Sequence, residues 1–224
     1  MAVSVIIPTL NEELHLPETL GAVRSQGPLE IIVADGSSSD GTRLAAKEAD
    51  QFLEAPRGRA RQMNFAADRA RGDILLFLHA DCTLEDGALQ AAEIGLRRPG
   101  VVAACFQQTV RATGWLYRSI DACATYRVRL TGLAYGDQGL VLHRNAFTQA
   151  GGFPEVPFME DVLLSQRLRN LGRMVVLPKR IFVSPRRWQR SGIIRQTLWN
   201  WTLTALAAAG VPPDRLARYY PVVR

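Results

Sequence analysis

Short apolar runs alternate with helix-length mixed stretches through the first third of the chain. Residues 3–7 (VSVII) are apolar and β-branched, residues 31–34 (IIVA) repeat the type, and residues 73–78 (DILLFL) are apolar enough for a strand buried on both faces of a parallel sheet. A polar, turn-forming stretch closes each run. Helical patterns follow, the first to about residue 26, then 43–49 and 60–71, with a short apolar pair, Phe52 and Leu53, between the last two. Strand-loop-helix units in succession predict an α/β fold, a Rossmann-like and mainly parallel sheet with right-handed crossovers and helices on its faces.

The second half is less regular. The pattern predicts helices over 84–97 and 114–130, a strand over 101–110, an apolar run at 140–142, a helix opening at Glu160-Asp161 and closing near Gly172, and a strand at 174–177. No repeat or low-complexity linker interrupts it, so residues 1–185 read as one domain. Residues 186–224 form a basic, tryptophan-rich helical extension.

Charge sharpens that division. The chain of 224 residues carries a formal net charge of +6, yet residues 1–185 hold 20 basic and 20 acidic side chains, while seven arginines face one acid, Asp214, from Arg186 onward. A localised excess excludes a generally basic nucleic-acid binder and fits attraction to anionic lipid or a phosphorylated ligand. Cys82, Cys105 and Cys123 are odd in number and lack metal spacing, as expected of thiols in a reducing compartment. No signal-peptide pattern is visible and no run reaches the roughly 18 apolar residues of a membrane span. The chain is read as cytoplasmic, reaching the inner face of a membrane if its tail meets lipid.

Candidate chemistry collects where the strands stop, the edge at which open α/β sheets bind ligands. His79 and Asp81 follow the third apolar run, and in extended chain residues two apart point to one side. The pair could hold Mn²⁺ or Mg²⁺, or could cap the next helix. Asp35 precedes a turn-rich stretch, where it could bind a ribose or base or could shape an Asx-turn. Asn11, Glu12 and Asp40 carry the same two readings. Arg57, Arg59 and Arg61 surround Gly58, and guanidinium groups suit a diphosphate, although the solvated face of a helix has the same composition. Glu160 and Asp161 are acids in a helix's first turn, which the dipole favours in any case.

Taken in order, Pro8-Thr9-x-Asn11-Glu12, Asp35-Gly36-Ser37-x-Ser39-Asp40-Gly41-Thr42, Gly58 to Asn64, Phe77-Leu78-His79-Ala80-Asp81, Gly151-Gly152-Phe153 and Glu160-Asp161 resemble glycosyltransferase family 2 over about residues 3–177. The resemblance implies a GT-A fold, a nucleoside-diphosphate sugar donor, a divalent metal and inverting transfer. It assigns Pro8, Thr9, Asn11, Glu12, Asp35, Arg59, Arg61, Asn64 and His79 to nucleotide binding. Asp81, as the last acid of the family's Asp-x-Asp motif, becomes a metal ligand, with His79 in place of the first. Asp161 becomes the general base beside Glu160.

Two departures bear on this. Met63 stands where the family often has arginine, and Ser184 stands at the glutamine position of the Gln-x-x-Arg-Trp motif that Arg187-Trp188 resembles. Asp137, Gln138, Arg187 and Trp188 are candidate contacts to sugar or acceptor, the latter a lipid-linked hydroxyl compound in one reading. Neither a dinucleotide fingerprint nor a P-loop follows the first strand, and a nucleotidyltransferase lacks its glycine-rich arginine loop there. The remaining alternative is a non-catalytic, membrane-associated nucleotide binder. In the tail, Ile194, Leu198, Trp201 and Ala205 share one helix face, which fits contact with lipid, contact with a second copy in a homodimer, or burial in an extended core.

Overall fold

The computed structural model describes residues 2–220, so Met1 and residues 221–224 of the extension lie outside the described residues. The predicted first three strands form as β1 (Val3–Thr9), β2 (Glu30–Asp35) and β4 (Ile74–Phe77), with β3 (Gln51–Glu54) at the short Phe52-Leu53 pair. Between them lie α1 (Leu16–Arg24), α2 (Thr42–Ala45) and α3 (Arg59–Ala67). The second half supplies β5 (Cys82–Leu84), α4 (Ala88–Leu96), β6 (Val101–Val110), α5 (Trp115–Thr131), β7 (Leu140–His143), α6 (Arg144–Gln149), α7 (Glu160–Arg169) and β8 (Arg173–Val183). The tail is helical, as α8 (Arg186–Ser191), α9 (Ile193–Ala208) and α10 (Pro213–Ala217).

Eight strands join in one sheet of order β3-β2-β1-β4-β7-β6-β8-β5. Four of the seven pairings are parallel, and β7 and β5 enter antiparallel to their neighbours. The parallel half is the one predicted, while in the other half β7 runs antiparallel to both its neighbours, β6 pairs parallel with β8, and β5 closes the edge antiparallel to β8. Period-two alternation builds a core on each face: Val5 and Ile7 join α1 and α4, while Ile6 joins α3, α6 and α7. A third, smaller cluster packs Leu203 and Leu216 of the tail on Met159.

The pattern misleads at two places. The helix expected from residue 84 begins only at Ala88, and residues 82–84 form a strand, because Cys82, Thr83 and Leu84 find partners in Val183, Phe182 and Ile181. Strand β8 continues past the expected end at residue 177. Pro178 cannot donate to a ladder, and it falls where the register with β6 shifts between Cys105 and Gln107; pairing resumes at Arg180.

Candidate active site

The carboxyl ends of β1 and β4, the loops before α3 and α7, and the start of α8 surround a cleft of about 790 Å³. Beyond β4 the chain turns instead of staying extended, with Cys82 N–H donating to the His79 carbonyl at 3.2 Å. Thr19 of α1, itself buried, fixes the middle of that turn by donating to the Ala80 carbonyl at 2.7 Å. His79, Asp81 and Cys82 consequently present ligand atoms within 4.8 Å of one another. Burial, then the charge of Arg59, lowers the His79 pKa, which leaves a neutral imidazole at pH 7. The Arg59 guanidinium, 3.4 Å from Nε2, can only donate, so Nε2 is the accepting nitrogen. Burial and the adjacent Asp81 raise the Cys82 thiol well above its usual value, and a protonated thiol is a poor ligand.

Across the cleft, Met159 adopts a left-handed backbone (φ 62°) and turns the chain so that the first turn of α7 enters the site. Glu160 is almost completely buried and pairs with Arg59. Burial opposes its ionisation, but Arg59 outweighs that and holds the carboxyl below its ordinary value. Asp161 goes the other way. Burial and the neighbouring Glu160 carboxylate push it up to about 6, against Arg59 and the N–H groups of Gly136 and Val162. The Gly136 N–H reaches Asp161 Oδ2 at 2.5 Å. A Cβ on Gly136 would lie 2.7 Å from His79 Nε2 and 3.2 Å from Asp161 Oδ2, so only glycine lets this segment sit between them.

The other predicted residues divide by where their polar atoms are spent. Pro8, Thr9, Glu12, Arg59, Arg61, Asp137, Arg187 and Trp188 line the cleft with the residues above. Asn11, Asp35, Asn64 and Gln138 do not line it. Asp35 accepts from Thr9 Oγ1 (3.0 Å) and from Ser38 N (2.8 Å) and Oγ (2.5 Å), the loop-shaping geometry. Asn11 has a left-handed backbone (φ 57°) and accepts from Ser39 N at 2.9 Å. Asn64 exchanges two 2.9 Å bonds with the Phe153 backbone and so clamps the Gly151-Gly152-Phe153 turn. Gln138 is fully buried and accepts from Arg127 at 2.6 Å.

Arg61 pairs with Glu155 at 2.9 Å, and Arg187 lies over the Tyr220 ring at 4.3 Å. Asp137 Oδ1 and Trp188 Nε1 are buried with no hydrogen-bond partner among the described residues. Two residues were missed in the sequence. Gln62 donates to the Thr9 and Ala34 carbonyls (2.7 and 2.8 Å) and ties the ends of β1 and β2 together. Arg186, next to the Arg187-Trp188 pair, contacts Glu12 Oε1 at 3.0 Å and Asp81 Oδ2 at 3.1 Å.

A curled, mixed sheet flanked by helices, with its polar cleft at the carboxyl edge, is the GT-A architecture of nucleotide-sugar glycosyltransferases. Residues 4–151 match the description of glycosyl transferase family 2, and the chain belongs to that family. It is 25% identical to the probable glycosyltransferase YdaM of Bacillus subtilis, over 88% of this chain and 53% of that protein. A Campylobacter jejuni GalNAc(5)-diNAcBac-PP-undecaprenol beta-1,3-glucosyltransferase is 33% identical over 38% of this chain and 31% of its own length. The chain thus spans about half or less of these relatives. The mannosyltransferase PcManGT of Pyrobaculum calidifontis, solved with GDP-Man and Mn²⁺, superposes with a TM-score of 0.67 at 20% identity, covering 96% of this chain and 68% of the other.

Proposed function

We propose that the chain transfers a sugar from a nucleoside diphosphate to an acceptor hydroxyl with inversion, assisted by a divalent metal. The observation that carries this reading is Asp161, a half-buried carboxylate held by Gly136 N–H, whose pKa is pushed up to about 6 in a cleft that also holds the His79 and Asp81 pair. A general base works best with a pKa near the working pH. Asp161 accepts the acceptor's proton while Gly136 N–H holds its orientation, and attack from the face opposite the leaving group inverts the anomeric centre.

The donor set supports a metal. One carboxylate and one neutral imidazole suit an ion that takes its other ligands from phosphate oxygens, and Asp137, whose buried Oδ1 has no partner among the described residues, lines the same cleft. Asp81 and His79 would hold Mn²⁺ or Mg²⁺, which when bound neutralises the departing diphosphate. PcManGT was solved with GDP-Man and Mn²⁺, which favours the same pairing here.

We further propose that residues 1–185 act as the catalytic domain and that the extension completes its cleft through Arg186, Arg187 and Trp188. Its α9 exposes Ile194, Leu198, Trp199 and Trp201, beside the exposed Arg190 and Arg195. Apolar and aromatic side chains flanked by cations fit an anionic lipid surface. The undecaprenol-linked substrate in the name of the Campylobacter relative is consistent with an acceptor presented there. Among the described residues no helix is long and apolar enough to cross a membrane.

The test is thermal stabilisation by UDP, GDP and their sugars in Mn²⁺ and in chelator. We expect a larger shift with Mn²⁺, abolished by Asp81→Ala and retained or improved by His79→Asp. Equal shifts in both conditions would remove the metal, and Mn²⁺-dependent binding with no donor hydrolysis would favour a non-catalytic binder.

A further inference from the structure

We infer that Arg186 is a diphosphate ligand which, in the free protein, is parked on the carboxylate meant for the metal, so that nucleotide and metal bind well only together. The inference rests on the nucleotide-metal reading above and adds a residue and a dependence to it. Arg186 NH2 lies 3.1 Å from Asp81 Oδ2 and 3.0 Å from Glu12 Oε1, and its NH1 lies 3.5 Å from Glu12 Oε2. All three are largely shielded, with side-chain exposures of 27% for Arg186, 13% for Glu12 and 19% for Asp81. Glu12 follows β1 and Asp81 follows β4, adjacent parallel strands, so the guanidinium spans the carboxyl edge where this class of sheet receives a ligand.

Neighbouring arginines are engaged differently. Arg59 pairs with the buried Glu160 and Arg61 with Glu155. Arg186 alone of these three contacts the proposed metal carboxylate, and that makes it a competitor. A dication entering at Asp81 meets a fixed positive charge within contact range, in a site where screening by solvent is reduced. A diphosphate reverses the balance. It offers the guanidinium paired oxygens in the geometry that Arg prefers, draws it from Asp81, and leaves that carboxylate free for the ion. Because such coupling is reciprocal, the metal must raise nucleotide affinity by the factor by which the nucleotide raises metal affinity.

The experiment is Mn²⁺ binding by the full chain, read from the EPR signal of free Mn²⁺, for the wild type, Arg186→Gln and Arg186→Lys, each alone and with saturating UDP or GDP. Nucleotide affinity is also measured in chelator. We expect Arg186→Gln to bind Mn²⁺ alone ~10-fold more tightly than wild type, a typical size for coupling between sites, and the gap to close or reverse once nucleotide is present. Nucleotide affinity in chelator should fall ~10-fold in the same variant. Arg186→Lys keeps the charge, so its Mn²⁺ affinity alone should stay near wild type. Its nucleotide affinity in chelator should still drop, since a point charge cannot span two phosphate oxygens. That second loss tests the assignment even if the Gln variant fails to fold.

Wild-type-like Mn²⁺ and nucleotide binding by Arg186→Gln, with nucleotide-dependent Mn²⁺ uptake intact in both proteins, overturns the role of Arg186 alone. Mn²⁺ uptake by neither protein, with nucleotide or without, overturns the metal site and the competition together.

Discussion

Arg59 pairs with Glu160 across 101 positions of sequence, and the pair flanks Asp161 with opposing charges. Glu160 raises the Asp161 pKa and Arg59 lowers it. Glu160→Gln therefore removes a raising charge and frees Arg59 to act unopposed, so the acid limb of the pH-rate profile should move down. Arg59→Gln should move it up. Arg59→Gln also strands a carboxylate whose side chain is 2% exposed, and leaving a buried acceptor unpaired costs about 1–3 kcal/mol. Urea unfolding of that variant should show such a loss, and an unchanged midpoint would argue that Glu160 finds another partner.

Asp161→Asn preserves shape and removes the proposed proton acceptor. A loss of at least roughly 10² in kcat is expected, with little change in nucleotide affinity. In the wild type the rate should fall as pH drops through about 6, where the carboxylate takes up a proton. Stability carries its own signature. A folded-state pKa raised above the ordinary 3.8 gives stability that is fully present below about 3.8 and lost as pH rises through about 6. The Asn variant escapes that loss, so its Tm relative to wild type should be higher at pH 8 than at pH 5. Retained turnover would return Asp161 to the role of a helix-start residue.

Gly136→Ala places a Cβ 2.7 Å from His79 Nε2. The imidazole must move to admit it, and a displacement of about 1 Å at a reacting site can cost roughly 10²-fold in rate. Mn²⁺-dependent stabilisation by nucleotide should weaken while the melting temperature without ligand changes little. A variant with wild-type metal response would show that His79 is not needed at its present position.

Ile194, Leu198 and Trp201, with exposures of 61%, 54% and 57%, give α9 an outward apolar stripe, while Leu203 on another face is 1% exposed and packs inward. Sedimentation with vesicles containing phosphatidylglycerol should carry the protein down, and neutral vesicles should carry less. Trp201→Ser and Leu198→Ser together should abolish it. Absence of binding to either vesicle would turn attention to a homodimer through the same stripe.

The parallel half of the fold was legible because β1, β2 and β4 are local signals, apolar runs closed by turn residues. Residues 82–84 and 180–183 were not, since their strands depend on partners distant in sequence, 82–84 on 181–183 across about a hundred positions and 180–183 also on Gln107 to Val110 of β6. The site divides on similar grounds. Asp81, Glu160 and Asp161 could be named from their places at element ends, and the cleft includes them. Asp35, Asn64 and Gln138 have equally suitable chemistry, yet their polar atoms hold Ser38, Phe153 and Arg127. Residue type tells what an atom can bond to and not which way it points. Arg186 was missed for the same reason, because Arg187 is marked by the following Trp188 and nothing local sets Arg186 apart from Arg190.

The ladder that seats Cys82 opposite Val183 has a kinetic meaning. It anchors the backbone one residue after Asp81 and three residues before Arg186, so the two side chains meet without any mobile loop between their anchors. Parting them requires only rotation about the arginine's own side-chain bonds. Such a rotation shifts no strand or helix, whereas lids and domains close in microseconds to milliseconds. A cleft built this way can answer an arriving ligand with its backbone at rest.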